Sequence, residues 1–255
     1  MKCKLIITAL IFIVAPGSLT YAGAGYTETP PVVIELEGGV LWQTVNDIQI
    51  PNSEDGTRFS LVDLAGNGPY PAGRLYISWN INEKHNLRVL LAPFSVTEEV
   101  VPPKALKFEG EEFAAGQPLD ATYKFNSWRI SYRYRFRSRE KFRWHLGFTA
   151  KIRDARIELV QPGTSSDKPD IGFVPLLNIG FDYRFSERWR FSTDLDALAG
   201  GPGRAEDFSA KIYCMLSPEW SIAAGYRTLE GGADVDEVYN FAWLHYAVLS
   251  VSYMY

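Results

Sequence analysis

The sequence has little of the chemistry on which many enzymes and metal proteins depend. Its 255 residues include two cysteines and three histidines, and their spacing matches no common metal site. No apolar run reaches the 18 residues that a membrane-spanning helix requires. Neither a phosphate-binding loop nor a basic nucleic-acid patch stands out. The sequence therefore predicts no metal, no cofactor and no nucleic-acid partner.

Residues 1–24 have the three regions of a secretory signal peptide. A short basic stretch is followed by an apolar core at 5–14, LIITALIFIV, and then by small residues. Cleavage after Ala22 and cleavage after Ala24 both fit this pattern. We therefore expect residues 25–255 to form one exported domain.

Beyond the signal peptide, apolar residues alternate with polar ones along most of the chain, and this period of two predicts β-strands. In the stretch 180–198, GFDYRFSERWRFSTDLDAL, two alternating segments flank the short turn 186–188. The same pattern along the whole chain predicts ten strands, with eight as the alternative. The connections alternate between short polar turns at 82–86, 137–141, 186–188 and 217–219 and longer segments at 47–72, 97–121, 160–170, 200–205 and 230–238.

Aromatic residues concentrate near the short turns, where the predicted strands end. A soluble β-sandwich or a lipocalin-like barrel also has alternating strands, but its apolar face points to a dry core and its polar face points outward. Aromatic strand ends favour instead a sheet whose apolar face contacts lipid. We expect an aromatic girdle that consists of Trp79, Phe136, Trp144, Phe185, Trp189, Trp220, Tyr253 and Tyr255.

Taken together, these features resemble the bacterial outer-membrane β-barrel proteins, over about residues 32–255. The C-terminal VLSVSYMY is similar to their assembly signal, although it ends in Tyr255 where phenylalanine is commoner. The resemblance implies an all-β fold, a closed antiparallel transmembrane barrel in the cell outer membrane. It also implies contact with outer-membrane lipid and lipopolysaccharide, and with the barrel-assembly machinery during biogenesis. The oligomeric state stays open.

The polar face of the predicted strands carries a set of charges that we expect in the barrel lumen. They form either a salt-bridge network that fills the barrel or the lining of a narrow, anion-preferring pore. The acidic members are Glu35, Glu37, Asp182, Asp194 and Asp196, and the basic members are Arg74, Arg88, Arg129, Arg133, Arg135, Arg143, Lys151, Arg153, Arg184, Arg190, Lys211 and Arg227. The lumen is therefore predicted to be net basic.

An enzymatic role is the alternative. Omptin outer-membrane proteases use inward acidic residues with a histidine near the outer rim, but His145 lies near a short turn, at the opposite end. Outer-membrane lipid A deacylases use an exterior His-x-Ser pair, whereas this sequence reads His245-Tyr246-Ala247. The serine nucleophile is missing. We therefore expect a structural or narrow pore-type protein and no catalytic residues.

Overall fold

The computed structural model describes residues 30–136, 141–201 and 203–255. The predicted signal peptide, 1–24, lies outside these ranges. Almost every described segment is a β-strand, because the alternation of apolar and polar residues suits a sheet with two different faces. The elements are β1 Val32–Gln49, β2 Phe59–Ser60, α1 Leu61–Ala65, β3 Tyr70–Asn80, β4 His85–Ala92, β5 Ser95–Val100, β6 Leu106–Phe108, β7 Glu111–Phe113, β8 Leu119–Arg135, β9 Phe142–Gln161, β10 Thr164–Arg184, β11 Trp189–Gly200, β12 Gly203–Met215, β13 Trp220–Val235 and β14 Val238–Met254.

The strands form a closed antiparallel barrel with ten strands in its wall. The order is β1-β3-β4-β8-β9-β10-β11-β12-β13-β14, and β14 pairs again with β1. Strand β5 continues the wall beyond β4, toward the end opposite the short turns, since both strands pair with β8. The seam runs from Val33, opposite Met254, to Gln49, opposite Tyr239. Closure leaves neither terminal strand with an unpaired edge, and the predicted fold class and strand number are confirmed.

The two ends of the barrel differ in how the strands are connected. At the short-turn end, where both termini of the barrel lie, β10 and β11 are joined through 185–188 and β12 and β13 through 216–219. At the opposite end we predicted five long segments, and three of these predictions are wrong. Residues 160–170, 200–205 and 230–238 are mostly strand, because the hairpins extend and end in tight turns. The long connections are those after β1 and after β5, which fold over the lumen.

In the half of the barrel nearer the short turns, the outward face of the wall is apolar and the inward face is polar. Phe148 is 68% exposed and Leu249 is 69% exposed, whereas Glu37 on the inner face is 2% exposed. Seven of the eight predicted girdle residues are at least 43% exposed near the short-turn end, and Tyr253 is partly covered by Trp220. An exposed apolar band of this kind suits contact with lipid rather than with water.

A hydrophobic plug closes the opposite end. The connection 50–69, which contains α1, and the connection 101–118, which contains the β6–β7 hairpin, pack together over the lumen. Phe108 and Phe113 are fully buried in it, against Leu119 and Leu159 of the wall. Within the described ranges, no helix has both the length and the apolar character needed to cross a bilayer.

Candidate functional site: the charged lumen

The inner face of the barrel carries a network of ion pairs between β1, β3, β4, β8, β11, β12 and β13. Period-two alternation directs these side chains inward from each of these strands. The network contains the carboxylates Glu35, Glu37, Asp194, Asp196 and Asp207, and the cations Arg74, Arg88, Arg129, Arg133, Lys211 and Arg227.

Asp207 lies at the centre of the network, on β12. Its carboxylate accepts hydrogen bonds from Arg227 Nη1 at 2.5 Å, Arg129 Nη2 at 2.7 Å and Arg74 Nη1 at 3.2 Å. The side chain is 3% exposed. A buried charge with three guanidinium partners joins strands from three sides of the barrel, so it holds the lumen together across its width.

A second part of the network lies nearer the short-turn end of β1. Lys211 Nζ donates to Glu35 at 2.5 Å and to Glu37 at 2.7 Å. Glu37 also faces Arg227 Nε at 3.3 Å, and the Tyr213 hydroxyl lies 3.0 Å from Glu35 Oε2. Both glutamates therefore have cationic partners from the opposite wall.

The two aspartates of β11 are held by different arginines and share one amide partner. Asp194 receives a bidentate pair of hydrogen bonds from Arg88, at 2.8 and 3.0 Å, and His145 Nε2 lies 3.3 Å away. Asp196 accepts from Arg129 Nη1 at 2.8 Å. Asn178 Nδ2 bridges them, at 3.1 Å from Asp194 and 2.8 Å from Asp196. Two carboxylates held by arginines are suited to structure rather than to proton transfer.

Of the predicted lumen residues, the structure brings together Glu35, Glu37, Arg129, Arg133, Asp194, Asp196, Lys211 and Arg227. Asp182 and Arg184 lie lower, at the short-turn end, where Asp182 faces Arg190 at 3.7 Å. Asp207 is not among the predicted lumen residues, although the alternation indicates it: Phe208 faces outward, so its neighbour must face inward.

Above the network the lumen becomes apolar. Leu41, Leu229, Leu244 and Tyr246 form a buried layer beneath the plug. Only a small cavity, of about 10 Å³, remains at this boundary, lined by Arg74, Phe94, Phe125, Leu229 and Tyr246 among others. The ion pairs, the apolar layer and the plug thus stand one above another along the barrel axis.

A small polar cluster lies on the outer face of the barrel, toward the plugged end. The β1–β14 register shifts between Gln43 and Val45, so Thr44 forms a bulge. Its hydroxyl lies 2.9 Å from His245 Nε2, and the Tyr226 hydroxyl lies 2.5 Å from His245 Nδ1. The sequence around His245 has no serine nucleophile, and the nearby hydroxyl of Thr44 could not be predicted because Thr44 comes from the other end of the chain.

Across residues 30–136, 141–201 and 203–255, no group of three or more His, Cys, Asp or Glu side chains is arranged to hold a metal ion. The inner carboxylates instead face arginine and lysine.

Comparison with known proteins gives a likeness in fold. No family model matches the sequence, and no curated protein matches it. Among solved structures, the outer membrane protease OmpT from Escherichia coli superposes with a TM-score of 0.53 at 9% identity, covering 92% of this chain and 100% of OmpT. The translocator domain of the autotransporter NalP from Neisseria meningitidis gives a TM-score of 0.47 at 9% identity, covering 90% of each chain. The chain thus has the closed ten-stranded fold of the bacterial outer-membrane β-barrel proteins.

Proposed function

We propose that this protein is a structural, non-conducting barrel of the cell outer membrane, with the short-turn end in the periplasm and the plug facing outward. The apolar outer face and the aromatic girdle support this location. The proposal includes export through the signal peptide 1–24, contact with outer-membrane lipid and lipopolysaccharide, and assembly by the barrel-assembly machinery.

The observation that carries the proposal is the filled lumen. A ten-stranded barrel is only slightly wider than the eight-stranded barrels whose interiors side chains fill. Here the long side chains of Arg74, Arg129 and Arg227 meet around Asp207 in mid-barrel, and a second, apolar closure lies above them. Two closures in series oppose the passage of water and ions.

The net charge of the lumen is a second part of this proposal. The ion-pair network has nearly equal numbers of carboxylates and cations, and the inward basic residues Arg143, Arg184 and Arg190 add positive charge at the short-turn end. We infer that the lumen is net basic and that any leak favours anions.

Purified barrel in planar bilayers should therefore show little or no steady conductance, with anion selectivity in whatever leak occurs. A matched variant replaces residues 101–117, which carry the β6–β7 hairpin, with a short Gly-Ser turn. Its conductance should stay low, since the ion-pair network remains. A large, stable conductance in the wild type would contradict the proposal.

A second candidate function, hydrolysis of an ester at the outer surface, is favoured by the Thr44–His245–Tyr226 cluster. A hydroxyl within hydrogen-bond reach of an imidazole, which a third group orients, is the arrangement of an activated nucleophile. In this candidate, His245 Nε2 removes the proton of Thr44 Oγ1 while Tyr226 holds Nδ1. Trp42 stacks on the imidazole, with ring centroids 5.8 Å apart, and would pack against an acyl chain.

This candidate predicts slow hydrolysis of a p-nitrophenyl acyl ester by the folded barrel. His245→Gln and Thr44→Val should each lower the rate by at least about a hundredfold, the usual range for loss of a general base. Thr193→Val, on the other side of the barrel, is the control and should keep the wild-type rate. Absence of hydrolysis, or equal rates in all four proteins, would eliminate the enzymatic candidate.

A further inference from the structure

The β9–β10 hairpin rises above the next strand of the barrel wall. Strand β10 pairs with β9 from Tyr183 to Thr164, near the tip of the hairpin. On its other side, β10 pairs with β11 only as far as Leu177, which lies opposite Ala197. No strand among the described residues pairs with this side of β10 at 164–176, which we call the free edge.

Two prolines account for the end of the pairing. Pro175 is the second residue beyond Leu177 toward the hairpin tip, and Pro169 follows in the same phase along β10. Proline has no N–H to donate, so within a sheet it lies on an edge with that side facing away from a partner strand. Both prolines therefore face the side on which β11 is missing, and Pro175 stops the ladder.

Between the two prolines, Ile171 and Phe173 point their amide and carbonyl groups toward the missing strand, since backbone groups two residues apart face the same side. A side chain added at Gly180, where β11 is present, would lie 2.3 Å from a backbone oxygen of that strand. At Gly172 the nearest atoms belong to side chains and lie 3.1 Å away or farther. Free backbone donors and acceptors of this kind are a template for a further strand.

Most of the free edge lies above the lipid-facing band of the barrel. On β9 the outer face changes from the exposed, apolar Ile152 to the charged Asp154 and Arg156, which both form ion pairs. Ile152 lies opposite Phe173 in the register, so the hairpin beyond Phe173 enters water. A soluble partner can therefore reach this part of the edge.

A second copy of the barrel does not fit the free edge. Two copies in one membrane have the same orientation, so they are related by a rotation about the membrane normal. Barrel strands tilt by about 35–45°, and the β10 strands of two such copies therefore cross instead of lying side by side. The partner must bring a strand that is free to align with β10, as an extended peptide segment does.

We propose that the free edge binds an extended peptide segment of a partner protein, which adds a strand beside β10. The exposed side chains of Ile171 and Phe173 offer an apolar surface at the membrane-proximal end. The exposed carboxylates of Asp167 and Asp170 lie nearer the hairpin tip. A strand with apolar residues at one end and basic residues at the other matches this surface. Only the place of the edge outside the cell rests on the orientation proposed above.

Folded barrel in neutral detergent, titrated with a labelled synthetic peptide, tests the edge by fluorescence anisotropy. The peptide alternates valine with threonine and ends in two lysines. Its matched control carries N-methyl groups on the valine amides, which face β10 when the valine side chains lie beside Ile171 and Phe173. The control should bind at least about tenfold more weakly, since several backbone hydrogen bonds are lost. Equal binding of the two peptides, or binding of neither, overturns the proposal.

Ile171→Pro removes one donor of the free edge and should weaken binding of the peptide by about fivefold, the usual effect of one lost hydrogen bond. The variant should stay as heat-stable as the wild type, because no strand of the barrel pairs with this amide. Ile171→Val keeps the donor and should bind as the wild type does. An Ile171→Pro barrel that melts early, or that binds the peptide unchanged, overturns the assignment of the edge.

The oligomeric state of the barrel tests the choice of partner. Light scattering of the wild type without peptide should show a monomer in detergent. A dimer that Ile171→Pro converts to a monomer would assign the free edge to a second copy and overturn the peptide as its partner.

Discussion

Asp207→Ala should be strongly destabilising, by about 3–5 kcal/mol, because it leaves several buried guanidinium groups without their carboxylate. Arg74, Arg129 and Arg227 all donate to this one side chain. The low-dielectric lumen gives them little water in compensation. The free energy of unfolding can be measured by urea titration in detergent, with heat-modifiable gel migration as the probe of the folded barrel.

The matched control is Glu230→Ala, which breaks the pair between Arg204 and Glu230 on the outer face. Arg204 is 50% exposed there, and exposed pairs contribute little to stability. If the two variants unfold at the same urea concentration, the network around Asp207 does not hold the barrel together in the way described.

Leu249→Arg should destabilise the barrel by about 2–4 kcal/mol, the cost of a basic residue at the bilayer midplane. Leu249 lies on β14 midway between Tyr253 and Trp243, the aromatic residues toward either end of the strand. Its cross-strand partners are Gly38, which has no side chain, and Ala224, which has a single methyl group, and Leu249 is 69% exposed. Unfolding in lipid vesicles measures the effect, since detergent alone would understate it.

Ser192→Arg is the comparison on the inner face. Ser192 lies between Asp182 and Lys211 in the register, where a further cation is close to a carboxylate and to water. The loss there should be clearly smaller than at Leu249. A larger loss at Ser192 would mean that the two faces of the wall have been assigned in reverse.

Local pattern was enough to predict the wall of this protein. Successive side chains of a strand point to opposite faces of the sheet. The outward position of Leu249 and the inward position of Glu37 therefore follow from their neighbours in the sequence alone. An apolar face that ends in aromatics, as at Phe185 and Trp189, indicates lipid outside. An even number of such strands then predicts a closed barrel, because lipid cannot satisfy an open edge.

The long-range pairings could not be predicted from the sequence. Asp207 meets Arg74, Arg129 and Arg227 across the lumen, and which charges meet depends on the stagger of the whole barrel. The plug likewise depends on two connections that contact each other only after closure.

Alternation placed Arg184 and Arg190 on the inner face, and the register of β10 and β11 set the two residues opposite each other. The sequence by itself thus determined the faces, the strand number and the closure, since these depend on the solvent that each residue meets. Only the tertiary structure decided which side chains meet, because those contacts depend on register and on loops that lie far apart in the chain.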